Sequence, residues 1–235
     1  MAGQTERTLT RARERFAVQD YYGAIHLLEE ITGAGRAFAD VHHLLGVSLS
    51  LLGQSDRALG EFQRALELNP RYLEALIHRG VVLTELGRHA EAEDSFRHAA
   101  ASLSPPSAGL AAPVAARLAN QHAELGDAYA EAGALDRAIE QYQCALELGP
   151  EFHDLRYRMA RLLLEAGRVL EAREALEQVL AVRPNFVDAE AALGLAHYLS
   201  GDAGGAQEVW KACLARRPEN ARIEAYLAML GRTGQ

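Results

Sequence analysis

Lysine is almost missing from this chain. Lys211 stands alone, so nearly all of the 24 basic residues are arginine, and 32 acids outnumber them to give a net charge of −8. That balance argues against a nucleic-acid partner, which needs clustered cations to neutralise phosphates. Cysteine is scarce. Cys144 and Cys213 are expected to be unpaired small hydrophobes on the buried sides of their helices, in a reducing compartment. No apolar run reaches the ~18 residues of a membrane span, so membrane insertion is not expected. The opening MAGQTERTLTRARERF has no apolar core of a secretory leader, and the chain is expected to be cytoplasmic. HExxH, GxxxxGK[ST], CxxC and EF-hand patterns are all absent. Gly46-Val47-Ser48-Leu49-Ser50 falls short of GxSxG and follows no strand. None of the nine histidines has ligand spacing; His42 and His43 are adjacent and point about 100° apart on a helix. We expect no enzyme, no metal and no cofactor.

What the chain has is repetition, and residues 39–70 are its clearest copy: ADVHHLLGVSLSLLGQSDRALGEFQRALELNP. Two helical patterns flank Gly53. Leu45, Gly46 and Leu49 lie on one side of the first; Ala58, Phe62 and Ala65 share one face of the second. Gly53 suits the left-handed residue after a helix end. Ser55 and Asp56 are expected to cap the next helix, and Pro70 stops it.

With Ala39 as position 1, position 20 is Ala24, Ala58, Ala92, Ala138, Ala172 and Ala206, at steps of 34, 34, 46, 34 and 34. Position 8 is Ala12, Gly46, Gly80, Gly126, Ala160 and Gly194. Position 15 is Gly53, Gly87, Gly133, Gly167 and Gly201, with Gln19 in the first copy. Position 24 is Leu28, Phe62, Phe96, Tyr142, Leu176 and Trp210; position 32 is proline at 70, 150, 184 and 218. Small residues at positions 8 and 20 let two helices cross near the short end of the ~8–10 Å range. A lone pair cannot bury its face, so the copies must stack.

These six copies resemble the tetratricopeptide repeat (TPR) family, whose pattern runs Leu-Gly, Tyr, Ala, Phe, Ala, Pro. The resemblance implies an all-α, right-handed α-solenoid of helix–turn–helix repeats. Repeats one to three are expected over 5–106 and repeats four to six over 119–220, with a C-terminal capping helix over 221–231. Met1–Gln4 are expected to be disordered, and Gly231 to end the capping helix, with Arg222 turned away from its apolar side. The insert 107–118 is a backward extension of the next helix or a hinge. Ser104-Pro105-Pro106-Ser107-Ala108-Gly109 has loop chemistry, and Pro113 suits a first helical turn. Arg7, Arg11 and Arg15 make the first helix a polar end cap or a basic docking face.

In the family, the first helix of each pair lines a concave groove. Its groove positions here place His43, Val47, Leu51, Ile77, Val81, Asp127, Tyr157, Arg161, Leu195 and Tyr198 as candidate partner-binding residues. Tyr157 and Tyr198 are the expected anchors. Chaperone-adaptor members clamp a carboxylate with asparagines at positions 6 and 9. Position 9 here is Arg13, Val47, Val81, Asp127, Arg161 and Leu195, and position 6 contains no Asn either, so that clamp is not expected. The resemblance implies a non-enzymatic scaffold or adaptor for a protein or peptide partner. The alternatives are a self-assembling homo-oligomer and an accessory subunit that presents substrate to a separate enzyme.

If small side chains set the helix approach, Ala58→Leu or Ala138→Leu overpacks the crossing and costs about 1–3 kcal/mol. Thermal melting checks it: each variant is expected to unfold at a lower temperature.

Overall fold

The computed structural model describes residues 2–35, 37–103 and 110–233. The described residues form thirteen helices and no strand. The helices are α1 (Ala2–Ala17), α2 (Tyr21–Gly33), α3 (Ala39–Leu51), α4 (Ser55–Leu68), α5 (Leu73–Glu85) and α6 (His89–Ser102), then α7 (Ala112–Glu131), α8 (Leu135–Leu148), α9 (His153–Glu165), α10 (Val169–Val182), α11 (Val187–Leu199), α12 (Ala203–Arg216) and α13 (Ala221–Thr233). They divide into two compact units, residues 1–104 and 105–235. Each unit is a run of antiparallel hairpins in which every helix packs on the next. Within a unit, successive first helices also meet: α3 touches α5, and α9 touches α11.

The turn explains why the hairpin repeats. Gly53, Gly87, Gly133, Gly167 and Gly201 all have positive φ, between 71° and 84°. The next residue then donates back across the turn: Gln54 N–H to the Leu49 carbonyl at 2.9 Å, Arg88 to Leu83 at 2.8 Å, and likewise in the other hairpins. This is the Schellman closure that satisfies carbonyls at a helix end. In the first hairpin Gln19 takes the same conformation, φ 61°, with the same bond from Asp20 to Arg15.

The core follows the small positions. All six position-20 alanines are buried, and so are the six position-24 side chains from Leu28 to Trp210. Position 24 lies directly over position 8 of its own hairpin. A Cβ placed on Gly46 would meet the Phe62 ring at 2.6 Å, on Gly80 the Phe96 ring at 2.2 Å, and on Gly194 the Trp210 ring at 2.1 Å. Gly126 faces Tyr142 less tightly, at 3.0 Å. The two hairpins with Leu at position 24, Leu28 and Leu176, are the two with Ala at position 8, Ala12 and Ala160. Position 8 is therefore sized by the side chain that covers it.

Several expectations need correcting. α1 begins at Ala2, so the chain is already helical through Gln4; Met1 lies outside the described residues. Gln54, not Ser55, is the N-cap of α4, and no side chain bonds the free N–H groups there. Side-chain caps occur instead where the turn offers an aspartate, Asp20 to Gly23 N–H and Asp202 to Gly205 N–H. α13 runs through Gly231 to Thr233, because one helical glycine costs too little to stop a helix. Cys144 is only partly buried, whereas Cys213 is fully buried. Burial, followed by the nearby Glu190, pushes the Cys213 thiol up to about 11, so it is held as an unreactive thiol. Residues 112–118 form the opening turns of α7, with Pro113 in its first turn. The loop-like stretch 104–109 lies outside the described residues.

Gly80→Ala should destabilise despite the better helix propensity of alanine, because Phe96 lies where its methyl would go. Adding Phe96→Leu, the combination found naturally with Ala12 and Ala160, should recover part of the loss. Denaturant titration of the two single variants and the double is expected to give coupling of about 1 kcal/mol or more.

Candidate functional site

The face that the core leaves unused is the outward side of the first helices. In the first unit it carries a ring cluster. His43 on α3 lies 5.0 Å from Tyr72 and 5.0 Å from His78 on α5, and the Phe62 ring is 6.0 Å from His43 and 6.1 Å from His78. His43 Nε2 is 3.2 Å from His78 Nδ1, which is also 2.7 Å from the Glu74 carbonyl. The Tyr72 hydroxyl is 3.3 Å from His43 Nδ1. One arrangement satisfies all three contacts: His78 Nδ1–H donates to Glu74 O and His43 Nε2, and His43 Nδ1–H donates to Tyr72. Burial, then the proximity of His78, pulls His43 down to about 4. Val47 packs against the first unit's core, Ile77 is buried, and Val81 is half-buried. Leu51 remains 54 % exposed.

In the second unit the same face is concave. A trough of about 610 Å³ is lined by Tyr157, Arg161, Leu164 and Glu165 of α9, by Asp188, Ala191, Ala192, Leu195 and Leu199 of α11, and by Arg222 and Tyr226 of α13. That volume lies within the usual range for ligand clefts. Tyr157 packs on Phe186, ring centres 4.7 Å apart. Burial and Asp188 raise its hydroxyl above its usual range, against Arg161 and Arg222. Tyr226 stacks on buried Trp210 at 5.0 Å.

Three of the proposed groove residues, Tyr157, Arg161 and Leu195, thus come together. Tyr198 is not in the trough lining; it packs against the cluster of Trp210, Cys213 and Ile223. Asp127 accepts a hydrogen bond from the Tyr142 hydroxyl and pairs with Arg158 at 3.2 Å. Arg222 and Tyr226 were missed. The apolar stripe of α13 shows which side packs inward, but not that its opposite edge reaches the α9 and α11 surface. Arg222 pairs with Asp188 at 2.5 Å, in the trough lining and off the side that buries Ile223.

Consecutive first helices are joined by arginine–aspartate pairs. Arg13 meets Asp40 at 2.8 Å, Arg158 meets Asp127, and Arg222 meets Asp188. Each is about half exposed, worth about 0–1 kcal/mol. Among the described residues no three His, Cys, Asp or Glu side chains are grouped to hold a metal ion, and no helix is long and apolar enough to cross a membrane. On α1, Arg7 and Arg11 are exposed, and Arg15 pairs with Asp20 at 2.9 Å.

The depressed His43 carries a consequence for stability. Its folded form resists protonation until about pH 4, while the unfolded form takes up a proton near 6.5. Unfolding therefore binds a proton between those values, and this contribution is complete above pH 6.5 and is lost as pH falls toward 4. The slope is at most about 1.4 kcal/mol per pH unit. Denaturant midpoints measured from pH 7 to 4.5 should fall less steeply in His43→Phe than in the natural chain.

Two tetratricopeptide repeat models match this chain, over residues 44–108 and 129–198. The uncharacterized protein MJ0572 of Methanocaldococcus jannaschii is 36% identical over 58 residues, 25% of this chain and 67% of that one. Among solved structures, the C-terminal part of a TPR repeat-containing protein from Cytophaga hutchinsonii superimposes with a TM-score of 0.69 at 19% identity, covering 94% of this chain and 86% of the other. PilW, described as a type IV pilus biogenesis factor, gives 0.66 at 20% identity over 95% and 98%. YrrB, described as a TPR protein with an unusual peptide-binding site, gives 0.60 at 20% identity over 84% and 95%. At these identities the structures share the fold with this chain and nothing finer. The repeat spacing, the glycine turns and the matched models agree: the chain belongs to the tetratricopeptide repeat family.

Proposed function

We propose that this protein is a non-enzymatic adaptor that takes a peptide segment of a partner protein in the trough of its second unit. TPR domains in general are non-catalytic protein-interaction modules, and the structures similar to this chain include one described as peptide-binding. The observation that carries the reading is the trough itself. It has an aromatic and aliphatic lining, Tyr157, Leu164, Leu195, Leu199 and Tyr226, with an exposed arginine at its edge. Such a surface gives a partner segment apolar contact area and a few orienting charges. In the first unit the corresponding face is mostly occupied, with Ile77 buried and Val47 packed on the core, and Leu51 is its exposed apolar residue. The catalytic alternative has little to support it, since Cys213 is fully buried and His43 is half-buried with burial disfavouring its charged form.

Affinity capture from the native cell tests this, with the natural chain and Tyr157→Ala/Leu195→Ala compared at equal loading. Binding energy in such sites concentrates in a few anchors, so partners held by the trough should drop at least about tenfold in the variant. Undiminished capture would count against the trough.

A further inference from the structure

Three arginine–aspartate pairs join first helices, each at different repeat positions, and one of them can be compared with an unpaired arginine. Arg13 is position 9 of its repeat and pairs with Asp40, position 2 of the next. Arg161 is position 9 of the fifth repeat, and Asp188 is position 2 of the sixth, the same 27-residue separation as Arg13 and Asp40. Yet Asp188 pairs with Arg222 of α13, and Arg161 makes no ion pair or hydrogen bond among the described residues. Glu165, one turn further along α9, is also unpaired there and also lines the trough. Leu164, Leu195 and Leu199 lie in the same lining.

We propose that the segment bound in this trough is an amphipathic helix that presents a carboxylate side chain to Arg161 and a basic side chain to Glu165, with its apolar stripe on Leu164, Leu195 and Leu199. The inference rests on the trough being a peptide site. The ligand's carboxylate takes the role that Asp40 plays for Arg13. One turn separates Arg161 from Glu165, and one turn separates residues i and i+4 on a helical ligand, so both charges are met at once. A phosphate dianion fits less well, because Arg161 is the single uncompensated cation here and Glu165 and Asp188 lie beside it. A free C-terminal carboxylate would satisfy Arg161 but leave Glu165 unanswered.

The intramolecular competition for Asp188 gives the test a specific signature. Arg222→Gln frees Asp188 to turn to Arg161, as Asp40 does to Arg13, and so blocks the ligand's carboxylate. Asp188→Asn added to Arg222→Gln frees Arg161 again.

The probe is a set of N-acetylated, C-amidated peptides of about four helical turns, with a leucine stripe flanked by Glu and Lys four apart, in both orders. A Gln/Gln version and a Gln/Gln version with a free C-terminus complete the set. Binding is read by fluorescence anisotropy at low and high salt. One Glu/Lys order should bind at least about fivefold more tightly than Gln/Gln, with the difference shrinking at high salt. Arg161→Glu/Glu165→Arg, both exposed and checked by circular dichroism, should invert the preferred order. Arg222→Gln should weaken the preferred peptide, and Arg222→Gln/Asp188→Asn should restore it. Equal binding of Gln/Gln and Glu/Lys peptides would overturn the charge assignment while leaving the trough a peptide site. Preference for the free C-terminus would overturn the helical ligand. Concentration-dependent self-association lost in Arg161→Glu would overturn it too, by making a second copy the occupant. If none of the peptides binds, the ligand class is wrong; the Tyr157→Ala/Leu195→Ala capture separately decides whether the trough binds anything.

Discussion

An aromatic ring lying on a glycine sets the spacing of these hairpins. Phe62 over Gly46, Phe96 over Gly80 and Trp210 over Gly194 leave no room for even one methyl group. Interiors this dense do not absorb a misplaced carbon cheaply. The ring at position 24 therefore fixes how near the first helix can come, and the buried alanine at position 20 lets the second helix meet it. Where the covering residue is the smaller Leu28 or Leu176, the space is taken back by Ala12 or Ala160. The volume under each crossing is conserved within a single chain by paired exchanges, not by identity at either position.

That constraint decides which surface is left for function. With the large side chain supplied by the second helix, the first helices of adjoining hairpins come edge to edge, α3 with α5 and α9 with α11. Their outward faces are not needed for the crossing, so they are free to carry unlike residues. One unit uses this freedom for a cluster of rings and the other for a trough. Charges on the second helices pair between helices too, Arg57 with Glu29 and Arg168 with Asp136, but more of them pair locally. Arg64–Glu61, Arg88–Glu91, Arg97–Asp94, Arg137–Glu140 and Arg168–Glu171 are all local pairs one turn apart. Those pairs contribute only tenths of a kcal/mol each.

Much of the fold was legible because it rests on spacing. The glycine turns, the buried alanines and the six-fold register are periodic, and each periodic position has one steric job. The exchange between positions 8 and 24 was also visible in the letters; it needed two columns to be compared with each other. The site was only partly legible. Tyr157, Arg161 and Leu195 share a face by helical geometry, and the structure brings them together. Tyr198 shares that nominal face yet packs against the Trp210 cluster, because the angle at which α12 and α13 cross it decides where its ring goes. The contact of His43 with His78, 35 residues away, and the reach of α13 into the trough depend on crossing geometry that no single-helix pattern encodes.

The same reasoning bears on Asp188, which stands to Arg161 as Asp40 stands to Arg13 yet pairs with Arg222. An exposed pair stabilises the fold little, so the exchange of Asp188 from the α9 arginine to the α13 arginine costs the fold almost nothing. It leaves Arg161, in the trough lining, without an ion pair among the described residues. While Asp188 is held by Arg222, the guanidinium of Arg161 is exposed beside Leu164, Leu195 and Leu199. Charge in such a place gives orientation and partner choice more than affinity. The capping helix therefore has two roles. It closes the last hairpin through Ile223 and the Tyr226–Trp210 stack, and through Arg222 it engages Asp188 at the edge of the trough.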